Sequence, residues 1–497
     1  MTNAQGNRGW VAAMVAAMVM ILAAAVALPA QTFETLVNFG GSDGANPSAG
    51  LVQGFDGNLY GTTESGGANN SGTVFKMTPA GTLTTLYSFC AQSGCADGDG
   101  PRAGLVQAAN GNLYGTTYDG GLKNSGTVFE LTLTGTFTTL YSFCSEGSYR
   151  CTDGANPSGT LIQAADGNFY GTTYDGGADG GGTVFEITPS GTLTSLHSFC
   201  LQYLCTDGLW PYAGLVQGPD GNFYGTTQYG GGYDGNGTCF DYGCGTVFKI
   251  TPTGTLTTLY SFCSQTNCSD GALPRGGLLL ATDGKFYGTT GIGGSSAWCG
   301  SDCGTVFKIT PTGTLTTLYN FCAQSGCPDG DGPVGGLVRA TDGNFYGTTA
   351  GGGLGPDGTL FEITPQGSLT TLHSFDISDG SGPTGTLIQD TGGALYGTTT
   401  YGGTQGDDGT VFSLNMGLRP FVETQPASGK VGAAVKILGS KLEGATAVTF
   451  NGTASSFKVT SNSLILAIVP AGATTGPVQV VKPGGTVNSN VNFQVLR

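Results

Sequence analysis

Few side chains in this sequence have the chemistry of a catalytic site. The chain has two histidines, His197 and His373, and both stand where other copies of a repeated segment carry tyrosine. The segment Gly40–Gly44 has the Gly-x-Ser-x-Gly spacing of a nucleophile elbow, but that motif requires a following helix and a histidine partner. The sequence offers neither at this point, so we predict no catalytic residue.

A second candidate is the segment Asp-Gly-x-x-Pro, which recurs between repeats. Its copies begin at Asp43, Asp97, Asp153, Asp207, Asp270, Asp329 and Asp379. In a turn, the aspartate bonds the backbone, the glycine takes a positive φ and the proline fixes entry into the next strand. Asp97 with Asp99, and Asp329 with Asp331, could instead offer two carboxylates to calcium, which needs about six oxygen ligands. We favour the turn, keep calcium as the weaker alternative, and predict no other metal or cofactor.

Aromatic residues mark the segments that depart from the repeat. They lie in two insertions around close cysteine pairs and in one neighbouring junction. The six candidates are Trp210, Tyr212, Tyr233, Phe240, Tyr242 and Trp298. Aromatic rings on stiffened loops can stack on sugar faces or fill a partner's pocket, or they can simply cover the rim of the fold. We take these residues as the candidate ligand-binding set.

The cysteines fall into close pairs, each in a separate part of the repeat. The pairs are Cys90/Cys95, Cys144/Cys151, Cys200/Cys205, Cys239/Cys244, Cys263/Cys268, Cys299/Cys303 and Cys322/Cys327. An even number of cysteines in an exported chain indicates disulfides, whereas zinc would need four thiolates in one place. We therefore predict seven local disulfides, paired as above.

The elements that must position these groups repeat along the chain. The tetrapeptide Tyr-Gly-Thr-Thr begins at Tyr60, Tyr114, Tyr170, Tyr224, Tyr287, Tyr346 and Tyr396. Each period contains four short strand candidates, which is typical of a propeller blade. Tight turns join the first strand to the second and the third to the fourth, so the long connections and the cysteine pairs share one face. We expect that long-loop face to carry function.

The fourth strand shows how the repeats close. Its motif follows the third strand in six repeats, whereas the last repeat stops after Gly409–Leu414. A seventh copy, Phe33–Phe39, stands alone near the start of the chain. We predict that it pairs with Gly409–Leu414 and closes a ring with no unpaired central edge.

The two ends of the chain differ from the repeats. Arg8 followed by an apolar run over residues 11–28 is typical of a secretory signal peptide, with cleavage after Ala27 or Ala30. An uncleaved anchor helix is the alternative. Residues 418–497 lack cysteine and contain short alternating strands. We predict a signal peptide over 1–30, a seven-bladed β-propeller over 31–415 and an immunoglobulin-like β-sandwich over 418–497, giving an all-β fold.

Composition limits the classes of partner. The 17 basic and 33 acidic residues give a net charge of −16, which disfavours nucleic acid and anionic membrane surfaces. With 91 glycines and 10% aromatic residues, the chain is neither collagen nor a disordered tail. We expect a monomer at the cell surface or in the extracellular space, with no membrane span after leader cleavage.

The repeat carries a family resemblance. The segments Gly-Leu-Val-Gln, Asp-Gly-Asn-Leu-Tyr-Gly-Thr-Thr, Gly-Thr-Val-Phe-Lys and Leu-Tyr-Ser-Phe resemble the GloVer tandem repeats of exported bacterial proteins. The tail, through Gln425–Gly429, Val448–Gly452 and Ile468–Pro470, resembles an IPT/TIG domain. The GloVer resemblance implies a C-terminal surface anchor and brings no catalytic residues.

We interpret the chain as a non-enzymatic binding or adhesion protein for a glycan or a surface protein. The alternative is an extracytoplasmic propeller enzyme of the lyase, lactonase or quinoprotein type, acting on carbohydrate-like substrates. Such an enzyme would require a cluster of acid–base residues in the central cavity.

Overall fold

A computed structural model describes residues 31–145, 151–232, 239, 242–296 and 303–496. These residues form β-strands and turns, with short 3-10 turns at Ser93–Cys95, Tyr203–Cys205 and Thr266–Cys268. The all-β prediction is confirmed. The predicted signal peptide lies outside the described residues.

Four-stranded antiparallel sheets with one common strand order recur along residues 31–415. The innermost strands are Val52–Gln53 (β2), Val106–Gln107 (β6), Ile162–Gln163 (β10), Val216–Gln217 (β14), Leu279–Leu280 (β18), Val338–Arg339 (β22) and Ile388–Gln389 (β26). The second strands are Leu59–Thr63 (β3), Leu113–Thr117 (β7), Phe169–Thr173 (β11), Phe223–Thr227 (β15), Phe286–Thr290 (β19), Phe345–Thr349 (β23) and Leu395–Thr399 (β27). The third strands are Thr73–Met77 (β4), Thr127–Leu131 (β8), Thr183–Ile187 (β12), Thr246–Ile250 (β16), Thr305–Ile309 (β20), Thr359–Ile363 (β24) and Thr410–Asn415 (β28). The outer strands are Leu83–Ser88 (β5), Phe137–Ser142 (β9), Leu193–Ser198 (β13), Leu256–Ser261 (β17), Leu315–Asn320 (β21), Leu369–Ser374 (β25) and Thr32–Asn38 (β1). This order is that of propeller-like blades.

The sheet of the last repeat takes its outer strand from the start of the chain. β1 pairs antiparallel with β28, from Thr32 opposite Asn415 to Asn38 opposite Thr410. The predicted pairing of the isolated N-terminal copy is therefore present. Phe39, just after β1, is 1% exposed and packs edge-on against Phe75 of the first repeat.

Packing explains the tyrosine and the glycine of Tyr-Gly-Thr-Thr. The second strand is buried throughout, with β3 as an example. The Tyr60 hydroxyl donates to Asp56 in the tight turn at 2.8 Å. A Cβ on Gly61 would lie 2.6 Å from the Phe75 ring, so glycine leaves the space that the third-strand phenylalanine fills.

The first threonine of the motif joins neighbouring sheets. The Thr62 hydroxyl donates to the carbonyl oxygen of Ala103 in the next repeat at 2.9 Å. The Thr398 hydroxyl makes the same bond from the last repeat to Ala49 of the first, at 3.0 Å. The contact between successive sheets is thus also made between the last sheet and the first.

The C-terminal residues form two further four-stranded sheets around one hydrophobic core. The strands are Val422–Gln425 (β29), Ser428–Lys430 (β30), Ala434–Gly439 (β31), Ala447–Phe450 (β32), Thr453–Ala454 (β33), Phe457–Val459 (β34), Leu464–Ile468 (β35), Val478–Lys482 (β36), Gly485–Asn488 (β37) and Gln494–Leu496 (β38). The sheet orders are β29-β31-β35-β34 and β33-β32-β36-β37, with β30 parallel to β38.

This C-terminal unit packs on the tight turns between first and second strands. The Ser463 hydroxyl donates to Phe55 O at 2.7 Å, and Lys436 Nζ donates to Ala109 O at 2.7 Å. On the last repeat, the Phe421 N–H donates to Thr391 O at 3.2 Å. One face of the repeats is therefore partly covered, and the long-loop face is the opposite one.

Candidate functional site

Short bridges tie together the two kinds of long loop in each repeat. The bridged pairs are Ala45–Ser65, Asp99–Asp119, Ala155–Asp175, Leu209–Tyr229, Ala272–Ile292, Asp331–Gly351 and Ser381–Tyr401. Each pair joins the junction before an inner strand to the loop after the second strand. The residues of these loops therefore surround one opening on the long-loop face, which we call the mouth.

The junction aspartate holds the turn. Asp97 is fully buried, and its carboxylate accepts hydrogen bonds from the Tyr87 hydroxyl at 2.8 Å, Ala91 N at 2.9 Å and Gln92 N at 3.0 Å. Because these donors occupy both carboxylate oxygens of Asp97, the geometry favours the turn over the calcium alternative at this junction.

Both histidines replace the tyrosine of this contact. His373 Nε2 lies 2.8 Å from Asp379 Oδ2, and His197 Nε2 lies 3.3 Å from Asp207 Oδ2. Each histidine stands on an outer strand and faces its own junction aspartate. His373 makes the hydrogen bond that tyrosine makes in other repeats, whereas His197 and Asp207 lie side by side without a hydrogen bond between them.

Six of the predicted disulfides are present, each within one loop: Cys90–Cys95, Cys144–Cys151, Cys200–Cys205, Cys239–Cys244, Cys263–Cys268 and Cys322–Cys327. The sulfurs of Cys244, Cys263 and Cys268 lie within 4.8 Å of one another. They belong to disulfides and so offer no thiolate to a metal.

The seventh predicted disulfide, which joins Cys303 to Cys299, is not among these six. Cys303 is fully buried and disulfide-bonded, as the sequence predicted for it. Its predicted partner, Cys299, lies outside the described residues. The pairing of Cys303 with Cys299 is therefore not confirmed and stays a prediction.

Trp210 is the centre of an aromatic cluster on the long-loop face. Its ring stacks on Tyr174 with centroids 5.5 Å apart and meets Tyr229 edge-on at 5.4 Å. Tyr242 lies 6.0 Å from Trp210, and Tyr212 lies 6.2 Å from Tyr174. Tyr212 and Tyr242 are 38% and 52% exposed, so the cluster presents two free ring surfaces beside a half-buried tryptophan.

The backbone of Trp210 is strained. Its φ is 56°, the left-handed conformation that Asn46 and Asn156 adopt at the same position of their repeats. Asparagine tolerates this region, whereas a bulky residue there costs about 1–3 kcal/mol. Leu273 has a φ of 53° at the same position of the next repeat, so this conformation belongs to the turn and the tryptophan conforms to it.

The structure thus brings together three of the six predicted ligand-binding residues, Trp210, Tyr212 and Tyr242. Tyr233, Phe240 and Trp298 lie outside the described residues.

Charged groups adjoin the aromatic cluster around the same mouth. Arg102 Nε donates to Glu64 at 2.8 Å, and its guanidinium carbon lies 3.9 Å from the centre of the Tyr118 ring. Burial raises the pKa of Asp119 and of Asp175, and it raises the pKa of Tyr174 to about 12. These groups form a polar border beside the exposed rings.

Sequence reasoning missed the residues directly after Tyr-Gly-Thr-Thr. Tyr118 and Tyr174 occupy a position that is Gly291 and Ala350 in later repeats. The departure from the repeat was visible in the sequence. Its significance depended on the location of this position beside the mouth, which the structure shows.

A cavity of about 630 Å³ opens behind the mouth. Its walls come from the inner segments of all the repeats in 31–415. The C-terminal unit contributes Phe421, Glu423, Thr424, Ala427 and Ser489–Val491 to the lining. The volume is within the range of small-molecule sites, which is about 300–1,000 Å³.

These features define a repeated β-sheet protein with a C-terminal β-domain and a loop-bordered central cavity. The chain belongs to the Gloeobacter/Verrucomicrobia repeat family, whose model matches residues 24–152, 148–243 and 240–455. An IPT/TIG domain model matches residues 422–495. Both resemblances seen in the sequence are confirmed. No curated protein is significantly similar to the chain.

Several solved structures are distantly similar. The extracellular domain of a hybrid two-component system from B. thetaiotaomicron is 12% identical with a TM-score of 0.47, and the match covers 94% of this chain and 59% of that one. A protein described as a 6-phosphogluconolactonase from Bacteroides fragilis is 18% identical with a TM-score of 0.42, covering 69% and 86%. A gluconolactonase from Xanthomonas campestris is 15% identical with a TM-score of 0.37, covering 79% and 91%. TM-scores below 0.5 do not define a shared function.

Within the described parts of 31–496, no helix has the length and apolar character needed to cross a bilayer.

Proposed function

We propose that this is an exported, non-enzymatic binding protein that engages a glycan-like ligand through its long-loop face. In this proposal residues 1–30 are a signal peptide, 31–415 a seven-bladed propeller and 418–497 an immunoglobulin-like sandwich. The local disulfides support an oxidising compartment outside the cytoplasm. The recurring strand order and the contact from Thr398 to Ala49 support ring closure.

The aromatic cluster around Trp210 carries the proposal. Tyr212 and Tyr242 expose ring faces, which can stack on the apolar faces of sugars. Trp210 is held by ring contacts with Tyr174 and Tyr229, so little side-chain entropy is lost when a ligand binds. The nearby carboxylates of Asp119 and Asp175 can accept hydrogen bonds from sugar hydroxyls.

The lining of the central cavity supports binding over catalysis. Among its described residues, the ionisable side chains are Arg102, Tyr212, Arg275 and Glu423. Glu423 is a single carboxylate, whereas propeller hydrolases and lyases need several acid–base or metal-ligating groups together. The histidines serve the turns instead.

A glycan array followed by calorimetric titration of the best glycan tests this function. Replacing Trp210 and Tyr242 with alanine should weaken binding by about 1–3 kcal/mol because two stacking surfaces are lost. Tyr401→Ala is the matched control, since Tyr401 is on the same face, is also 52% exposed, and occupies the position of Tyr229 in the last repeat.

The control should bind as the parent does. Equal affinity of the Trp210/Tyr242 double variant and the parent would remove the cluster from the binding site. Turnover of any glycan in a parallel hydrolysis assay would favour the enzyme alternative.

A further inference from the structure

The central cavity has three layers of wall residues. The layer at the long-loop mouth is mostly polar, and consists of Ser48, Arg102, Ser158, Tyr212, Arg275, Val334 and Thr384. The middle layer is small, and consists of Gly50, Gly104, Thr160, Gly214, Gly277, Gly336 and Thr386. The layer nearest the C-terminal unit is aliphatic, and consists of Val52, Val106, Ile162, Val216, Leu279, Val338 and Ile388.

The middle layer is narrow because the inner segments approach each other closely. A Cβ on Gly50 would lie 2.7 Å from Thr386 O. Gly104 N and Gly336 N donate to the hydroxyls of Thr160 and Thr386 at 3.1 and 3.0 Å. At Gly277, by contrast, a Cβ would meet nothing within 4 Å, so this glycine borders open cavity.

The C-terminal unit forms the floor of the cavity. Strand alternation on β29 buries Val422 in the core of that unit and turns Glu423 towards the repeats. Glu423 lines both the main cavity and a connected space of about 420 Å³ beneath it. Gln425, on the same face of β29, donates to Gln107 O at the tight turn of the second repeat. The unit therefore lines one end of the cavity and places a carboxylate there.

Among the residues that the structure describes, none supplies a counter-charge to the Glu423 carboxylate. No hydrogen bond or ion pair reaches its side chain from the residues that the structure describes. The other ionisable groups of the lining, Arg102, Tyr212 and Arg275, belong to the mouth layer. Arg102 is paired with Glu64, and Arg275 Nη2 lies 2.9 Å from the oxygen of the Gln228 amide in its hydrogen-bonded orientation.

The Glu423 side chain is exposed to the cavity, whose walls are protein from every repeat in 31–415 and from the C-terminal unit. This enclosure raises the pKa of Glu423 because it disfavours the ionised form. A carboxylate so enclosed is costly unless a partner compensates it.

We propose that this cavity binds a small organic ligand with a protonated amine, which enters from the long-loop mouth and pairs with Glu423. The aliphatic layer contacts the carbon skeleton of the ligand, and the carboxylate takes its charged end. The amine site lies at the floor and does not depend on the glycan surface of the proposed function, although the two share Tyr212, which lines the mouth of the cavity.

Size and ligand chemistry select an organic ammonium over other ligands. A bare divalent cation needs about six oxygen ligands, whereas the floor offers one carboxylate in a cavity of about 630 Å³. An anion would face the Glu423 charge at the floor. A cation is further favoured by the net charge of −16, which raises its local concentration.

Ligand-observed saturation-transfer NMR on the full chain tests the proposal with three probes of equal length: hexylammonium, hexanol and hexanoate. Hexylammonium should bind, hexanol should bind more weakly, and hexanoate should not bind. Glu423→Gln keeps the shape of the side chain and removes its charge, so it should weaken hexylammonium binding about tenfold or more.

Two glycine variants separate the cavity from general attraction to an acidic protein. Gly277→Leu places a side chain in the middle layer, where there is room for its Cβ, and should block the amine without altering Glu423. Gly355→Leu adds the same group on an exposed loop and should leave binding unchanged.

Several results would overturn the proposal. These are no detectable hexylammonium binding, equal binding by Glu423→Gln or Gly277→Leu, or preferential binding of hexanoate. Glycan affinity measured on the same variants keeps the two sites distinguishable, because a failed amine site would leave glycan binding by the Trp210 cluster intact.

Discussion

At the scale of the residue, the junction aspartates Asp97, Asp153, Asp270, Asp329 and Asp379 join an outer strand to the start of the next repeat. The hydroxyls of Tyr319 and Tyr87 donate hydrogen bonds to Asp329 and Asp97, at 2.9 and 2.8 Å. His373 reaches Asp379 in the same way. A hydrogen bond to a buried carboxylate is stronger than a neutral one, so we expect this contact to contribute to stability in every repeat that makes it.

Replacing Tyr87 with phenylalanine tests that contribution. The variant keeps the ring stacked on Phe137, with centroids 4.1 Å apart, and removes one of the three donors to Asp97. We expect a loss of about 1–2 kcal/mol in the free energy of unfolding, measured by urea denaturation. Tyr203→Phe, at an 87% exposed position, should change nothing. Equal stability of the two variants would show that the Tyr87 hydroxyl is dispensable.

A second residue-scale prediction concerns acid stability. Burial alone would raise the pKa of Asp220, but hydrogen bonds from Lys249, Asn222 and Tyr224 lower it to about 2. A carboxylate with a lowered folded pKa stabilises the protein above its unfolded pKa, and that stability is lost as the pH falls from about 4 towards 2. The Asp220 side chain is 39% exposed, so solvent screening limits the effect to about 1 kcal/mol or less.

Lys249→Met should therefore be less stable than the parent at pH 7 and equally stable near pH 2. Lys308 is the matched control, because it pairs with Tyr287 as Lys249 pairs with Tyr224. No ion pair joins Lys308 to any residue in the described ranges. Thermal unfolding of Lys308→Met should show no such pH dependence. A stability difference for Lys249→Met that persists unchanged at pH 2 would contradict this account.

At the scale of the element, the isolated N-terminal copy completes the last sheet. Phe39 and Phe143 occupy the same repeat position, and they meet Phe75 and Phe185 edge-on at 5.4 and 5.3 Å. If β1 contributes as much to stability as an outer strand such as β9, Phe39→Ala and Phe143→Ala should each lower the free energy of unfolding by about 3–5 kcal/mol. Chemical denaturation measures both. A much smaller cost for Phe39→Ala would mean that β1 is a detachable strand.

Sequence reasoning predicted most of the strands and turns but few of the contacts between them. The number of strands in each repeat, the tight turns, six disulfide pairs and the role of Phe33–Phe39 follow from local patterns that recur in register. The Trp210 cluster was predicted in part, because its rings break the repeat. Arg102 with Tyr118, and Glu423 on the floor, depend on which loops and which domain share a space. That information is absent from any one repeat.

At the scale of the whole molecule, the C-terminal unit docks on the repeats and forms the floor of the central cavity. Its hydrogen bonds fall on the tight turns of the first, second, sixth and last repeats. In the first repeat, Phe55 replaces the small residues Ala109 and Ala165 of the next two repeats. Lys436 Nζ lies 4.3 Å from the centre of the Phe55 ring, and burial lowers its pKa. The site of docking is thus marked by a departure from the repeat on the face opposite the long loops.

Docking should therefore depend on the pair Phe55 and Lys436. The Phe421 N–H, which donates to Thr391 O, is a probe of the docked state because it exchanges with solvent slowly only while that bond is held. We expect Phe55→Ala combined with Lys436→Met to speed hydrogen exchange at Phe421 by about tenfold or more, as the cation–ring contact and the hydrogen bond to Ala109 O are both lost. Lys458→Met, at an exposed position of the same unit, should leave exchange unchanged.

Undocking has a second consequence that separates a loosened interface from a misfolded chain. Because Glu423 reaches the cavity only from the docked unit, the double variant should lose hexylammonium binding while glycan binding by the Trp210 cluster on the opposite face persists. Loss of both would indicate that the repeats themselves had been damaged. Retention of slow Phe421 exchange together with amine binding would show that the remaining contacts, from Ser463 to Phe55 O and from Ser440 to Thr391 O, hold the unit without the Phe55–Lys436 pair.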